Sequence, residues 1–117
     1  MTRRDNLRKN EPFMTKVKIA NPDVDGWPIE CYGVIDTGAA RTSIDMGLAI
    51  ALNLEGAGRV KVRSANGVQR RSLVWLEIEV FGEVLTLKAS TTNRSKLSSP
   101  ILIGRDILHN AYKEEEE

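Results

Sequence analysis

Few side chains in this sequence could do chemistry, and they are thinly spread. Cys31 is the one cysteine and His109 the one histidine. Neither an intramolecular disulfide nor a Cys-rich zinc site can be assembled from them, and a Ser/His/Asp arrangement would have to rest on a histidine near the C-terminus. No pair of potential ligands stands at HxxxH or CxxC spacing, and Gly56-Ala57-Gly58 follows a helical stretch and not a strand, so neither a zinc centre nor a phosphate loop has support. No metal and no cofactor is expected. What stands out is Ile35-Asp36-Thr37-Gly38-Ala39, a carboxylate at the end of an apolar run where the chain turns through small residues. A carboxylate placed there offers acid–base chemistry.

The elements around it read mostly as strands. Phe13 to Ala20 alternates in its second half and runs into the turn cluster Asn21-Pro22-Asp23-Val24-Asp25-Gly26. Trp27 to Asp36 puts Ile29, Cys31, Gly33 and Ile35 on one side and Glu30, Tyr32 and Val34 on the other, which predicts a strand leading directly to the carboxylate. The only good helical composition follows, predicting a short helix over 45–53 that Gly56 and Gly58 stop. Arg59 to Ala65 and Val68 to Val80 are alternating runs joined through Asn66-Gly67, a strong hairpin signal, and Gly82 marks a turn into a further strand over 83–90. Ile101-Leu102-Ile103 is a short apolar run of the kind buried on both faces, and 105–112 reads as a helical turn or two. Trp27 and Trp75 read as core or interface residues. Many short strands, tight turns and little helix favour an all-β, closed or nearly closed barrel.

The chain has 117 residues, 41% hydrophobic and 28% charged, which fits one soluble domain and not a disordered segment. Residues 1–12 read as a loose arm, 13–112 as the domain and 113–117 as an acidic tail. A net charge of +1 excludes a nucleic-acid binder of the usual basic type, and no segment approaches the ~20 apolar residues of a membrane span. A lone cysteine and the lack of a signal-peptide pattern predict a cytoplasmic protein. Charge is unevenly placed, however: residues 56–105 hold nine basic side chains against three acidic ones. Arg63, Arg70 and Arg71 crowd the hairpin, where an acidic peptide would be attracted.

Asp36-Thr37-Gly38-Ala39 after a strand resembles the active-site signature of retropepsin-type aspartic proteases. Two further segments carry the resemblance in the same order. Ala49-Ile50-Ala51-Leu52-Asn53-Leu54 is similar to the A-x-x-L-G-L segment of many bacterial members, with Asn53 where Gly is usual. Pro100-Ile101-Leu102-Ile103-Gly104-Arg105-Asp106-Ile107-Leu108 resembles the second signature, an apolar triplet followed by Gly-Arg-Asp. Within the family the chain looks most like the bacterial branch labelled ATP-dependent zinc proteases and linked to RimK-type glutamate ligases. Ala39-Ala40-Arg41-Thr42-Ser43, with one additional Ala, Gln69-Arg70-Arg71-Ser72-Leu73 and Asn93-Arg94-Ser95-Lys96-Leu97 are similar to that branch, and Ile44-Asp45-Met46 stands where a His is usual.

The resemblance implies a retropepsin-like closed barrel and an aspartic endopeptidase. Two carboxylates about 3 Å apart cannot both ionise, and the unprotonated one activates a water. One such Asp per chain implies a homodimer with Asp36 of each copy facing across the axis. Thr37 would brace the turn across the interface, Gly38 would let substrate approach, and Ala39 supplies no hydroxyl to stabilise the charged dyad, which places the expected activity optimum in mild acid, extending toward neutrality. Ser64, Ala65, Asn66, Gly67 and Val68 fall where the family has its flap. Gly104, Arg105 and Asp106 are implied to be structural, Arg105 holding the terminal segment by a charge-assisted bond. The substrate implied is a peptide or protein, with Glu-rich tails a specific candidate. The competing reading is a non-catalytic peptide-binding or dimerisation module on the same fold.

Overall fold

A computed structural model describes residues 13–65 and 67–109. The expected arm (1–12), Asn66 of the expected flap, and residues 110–117, which hold the end of the expected domain and helical turns and the acidic tail, lie outside them. Strand β1 (Met14–Ala20) pairs antiparallel with β2 (Ile29–Ile35). Between them Asn21 organises the turn: its side chain accepts the Asp23 N–H at 2.9 Å and donates to the carbonyls of Leu52 and Asn53. Next come β3 (Ser43–Asp45), helix α1 (Met46–Ala51), β4 (Gly56–Ser64), β5 (Gly67–Val80), β6 (Glu83–Thr92) and β7 (Ile101–Ile103). The sheet order is β1-β2-β7-β3-β6-β5-β4, and β1 also pairs with β5 from Lys18↔Glu79 to Ala20↔Glu77. Six strands therefore close into a ring, and β4 continues outward from β5 as the outer arm of a long hairpin. The class is all-β, as expected.

The core fills the ring. Along β5 the alternation places Val74, Leu76, Ile78 and Val80 inside, against Ile19, Ile44, Ile101 and Ile103, all nearly or wholly inaccessible. Trp75 faces outward with the Lys88 ammonium 5.3 Å from its ring centre. Trp27 is 95% exposed, so it belongs to no core within the chain.

Three local readings need correction. Strand β3 was not anticipated: with only three residues, two of them polar, it has no readable alternation, and it exists because it runs parallel to β6 and antiparallel to β7. That same pairing carries β6 on to Thr92. Helix α1 is shorter than expected. Asp45 caps it, its carboxylate accepting the Leu48 N–H, and Asn53 at φ 55° ends it, so the chain has turned before the two glycines are reached. Gly56 and Gly58 instead begin β4, with Gly58 at φ 105° beside a shift in register. At the end of the β4–β5 hairpin Ser64 pairs with Gly67, so Gly67 belongs to β5, at φ 113°, and not to the connection. The next turn, Phe81-Gly82 between Val80 and Glu83, has both central residues at positive φ, the twist that suits a two-residue hairpin.

Candidate functional site

Parallel pairing of β2 with β7 brings the ends of both strands to one place. There β2 runs into Asp36, whose N–H donates to the Ile103 carbonyl at 3.0 Å. The turn is closed twice: the Asp36 carboxylate accepts the Gly38 N–H at 2.9 Å, and the Asp36 carbonyl accepts the Ala39 N–H at 3.2 Å. Asp36, Thr37 and Gly38 are exposed, so the carboxylate faces outward from a braced turn.

The Gly104-Arg105-Asp106 segment belts this turn from behind. The Arg105 and Asp106 N–H groups donate to the carbonyls of Ala39 and Ala40, and the Arg105 guanidinium donates to the Thr37 carbonyl at 3.1 Å. The Asp106 carboxylate accepts both the backbone N–H and the hydroxyl of wholly buried Thr42, the latter at 2.7 Å, while the Thr42 hydroxyl accepts the Gly104 N–H at 3.3 Å. Thr42 was not singled out from sequence. Its partner lies 64 residues away, and only the nearness of an Arg-Thr-Ser run to the Asp-Thr-Gly turn hinted at it. Replacing Thr42 by Val keeps the shape but strips the hydroxyl from a buried donor–acceptor chain. The expected cost is about 2 kcal/mol, read as a fall in the urea midpoint without a change in slope.

Beside the turn opens a cleft of about 550 Å³, whose wall includes Gly38 and Ala39. Six of its lining residues are cationic, namely Arg41, Lys61, Arg63, Arg71, Arg94 and Arg105, and no lining residue is acidic. Of the three arginines expected to attract substrate, Arg63 and Arg71 line the cleft. Arg70 does not. Of the expected flap, Ala65, Gly67 and Val68 are exposed at the tip of the hairpin, and the wall is formed by its stem, from Val60 to Arg63. Arg41, Lys61 and Arg94 are cleft residues that sequence reasoning did not single out.

Arg94 is only 8% exposed. Its backbone N–H donates to the Asp45 carboxylate at 2.8 Å and its Nε to the Ser99 carbonyl at 2.9 Å. Burial lowers its pKa from the ordinary value, and the charges of Asp45 and Asp36 oppose that shift. Cys31, half-buried in β2, has its thiol pKa raised by burial and behaves as a small hydrophobe.

Thr37 and Arg105 also border a second, apolar groove of about 630 Å³, shared with Phe13, Ile35, Phe81 and Leu108. Phe13 and Phe81 are 73% and 49% exposed there. Among the described residues no three His, Cys, Asp or Glu side chains gather closely enough to hold a metal ion, and no helix is long and apolar enough to cross a membrane.

No family model and no curated protein matches the chain. Solved structures do. The EIAV protease complexed with the inhibitor HBY-793 superposes with a TM-score of 0.64 at 16% identity, over 88% of this chain and 90% of that one. The simian foamy virus (mac) protease gives 0.53 at 11% identity, over 79% and 89%. A Legionella pneumophila protein of unknown function (DUF785) gives 0.51 at 22% identity, over 81% and 84%. At such identities the likeness is one of fold. The ring of strands, the turn at the end of β2 and the belt that follows β7 together make this a retropepsin-like all-β fold.

Proposed function

We propose that the chain is an aspartic endopeptidase that works as a homodimer on acidic peptide segments, Glu-rich tails among them. The observation that carries this reading is the exposed Asp36 carboxylate, held by the Gly38 N–H in a turn that also walls a cleft whose charged lining residues are all cationic. Asp36 and Asp36 of a second copy share one proton. The unprotonated carboxylate takes a proton from water as the water oxygen attacks the peptide carbonyl carbon, while the protonated one donates to the carbonyl oxygen. Collapse of the tetrahedral intermediate breaks the C–N bond, and the departing nitrogen takes a proton from the dyad. The acidic substrate class is supported by the six cations of the cleft and by the resemblance to the RimK-linked branch. The test is cleavage of a Glu-tailed protein from about pH 4 to about pH 8, read by mass spectrometry with and without chelator. Hydrolysis that survives chelation and is strongest in mild acid is expected. A metal requirement, or a maximum well below about pH 4, removes the proposed mechanism.

The second copy fits the apolar groove that Thr37 borders. Phe81 takes a left-handed φ of 54°, a conformation bulky residues rarely adopt, and presents its half-exposed ring to that groove. Asp tolerates this backbone well, so Phe81→Asp is expected to fold normally and to weaken the dimer by about tenfold or more, measured by sedimentation equilibrium. An unchanged dissociation constant places the dimer contact elsewhere.

A further inference from the structure

Two arginines at the cleft carry donors with nothing to bind. The Nε of Arg71 is buried and has no hydrogen-bond partner. Its Nη2 reaches only the Gln69 side chain, at 3.4 Å. Most of the Arg94 side chain is buried and its Nε donates to the Ser99 carbonyl, while its two terminal nitrogens keep access to solvent and have no partner among the described residues. No carboxylate lies within ion-pair distance of either guanidinium among the described residues; the one ion pair found there joins Lys16 to Glu30, far along the chain. Asp45, the nearest anchor, spends its carboxylate on the backbone N–H groups of Leu48 and Arg94. Arg94 and Arg71 line the same cleft, and the Arg71 charge adds to burial in lowering the Arg94 pKa. Buried polar groups are normally satisfied, and two like charges are normally kept apart or neutralised. A site that leaves a buried donor orphaned beside a second unpaired guanidinium is built for an anion with several acceptor oxygens, and a carboxylate has that form.

We propose that Arg94 and Arg71 form a carboxylate-binding subsite that selects an acidic residue of a peptide bound in the cleft. This deepens the reading of the chain as an endopeptidase of acidic segments and rests on it for the word substrate, but the binding itself does not require hydrolysis. The subsite lies within electrostatic reach of Asp36, whose charge acts on Arg94. Gly38 and Ala39 of the Asp36 turn line the same cleft as Arg94 and Arg71. Arg94 is fixed on both sides, by Asp45 through its backbone and by Ser99 through its Nε, so its fork is held in place before the ligand arrives. The other cations line the remaining wall and draw in acidic chain without selecting a position.

The test measures binding in an Asp36→Asn background, so that it stands or falls apart from catalysis. Fluorescein-labelled (Glu-Ala)4 and (Gln-Ala)4, both C-terminally amidated, and (Gln-Ala)4 with a free C-terminus are titrated by anisotropy. The amidated Glu peptide is expected to bind at least about tenfold more tightly than the amidated Gln peptide, and Arg94→Met or Arg71→Met to abolish that preference. Tighter binding of the free-acid Gln peptide, lost in the same variants, assigns the subsite to a terminal carboxylate and supports the shared chemistry. Arg70→Met removes the same charge from the same strand outside the cleft and is expected to keep the preference. If Arg70→Met erases it as fully as Arg94→Met, attraction is diffuse and the subsite does not exist. Arg94→Lys, which keeps the charge but not the fork, should retain part of the discrimination. Should Arg94→Met not fold, Arg71→Met decides, and a preference intact there overturns the proposal.

Discussion

Replacing Asp36 by Asn is expected to lower kcat for peptide hydrolysis by at least about 10³-fold while leaving the unfolding free energy within about 0.5 kcal/mol of the wild type. Both halves follow from the turn. The contact that shapes it is the Gly38 N–H donating to one carboxylate oxygen, and an amide oxygen in the same place accepts the same bond. Asp36 is exposed and forms no ion pair among the described residues, so the substitution breaks no buried hydrogen bond or salt bridge. What the amide cannot do is take a proton from water, and in a dimer the substitution strikes both members of the dyad at once. Hydrolysis by purified Asp36→Asn at close to the wild-type rate would sink the aspartic mechanism. Absence of hydrolysis in both proteins, with acidic peptides bound equally well, would identify a peptide-binding module.

Gly104→Ala is expected to cost about 3 kcal/mol and to lower the thermal midpoint by about 10 °C or more. A Cβ on Gly104 would stand 2.6 Å from the carbonyl carbon of Arg41, 2.8 Å from its oxygen and 2.9 Å from its nitrogen. These are backbone atoms, so no flexible side chain can yield. Neither can the two chains drift apart, since the Arg105 and Asp106 N–H groups hold the carbonyls of Ala39 and Ala40 and the Gly104 N–H holds the Thr42 hydroxyl. Any relief must move the chain that follows Asp36. The folded fraction of Gly104→Ala should therefore also show a lower kcat, which Thr42→Ser, retaining the hydroxyl, should not. Differential scanning calorimetry with matched kinetics reads both effects, and an unchanged midpoint would mean that the close approach is not as the structure has it.

The parts of this fold that were legible are those in which neighbours in sequence are also neighbours in force. Alternation from Val74 to Val80 announces β5 because one side of that strand is core, and a carboxylate followed by Thr-Gly at the end of β2 announces the turn because the turn is local. The pieces that escaped are made by distant partners. Strand β3 has three residues and takes its form from β6 and β7, so Ser43 to Asp45 carries no signal of its own. Asn53 ended the helix in place of the expected glycines because Asn too accepts a left-handed backbone. Thr42 and Asp106 meet across 64 positions, and Arg94 becomes buried only because Asp45 and Ser99 receive it from two sides. A count of basic residues over 56–105 indicated the sign of the cleft, but not which of them line it: Arg71 does, and its neighbour Arg70 does not.

Strand β4 stands last in the sheet order, hydrogen-bonded to β5 on one side, and it carries Arg59, Lys61 and Arg63 along its length. Two of these cations also belong to the cleft wall. Charged side chains on a terminal strand discourage other chains from adding to it, so the features that give the cleft its sign also keep this hairpin from seeding fibrils. The two demands cannot be separated by simple neutralisation. A lineage that drifted toward uncharged peptides by losing Lys61 and Arg63 would uncover an open β-edge at the same time, and would have to shorten, bend or cover β4 before the broader appetite could persist.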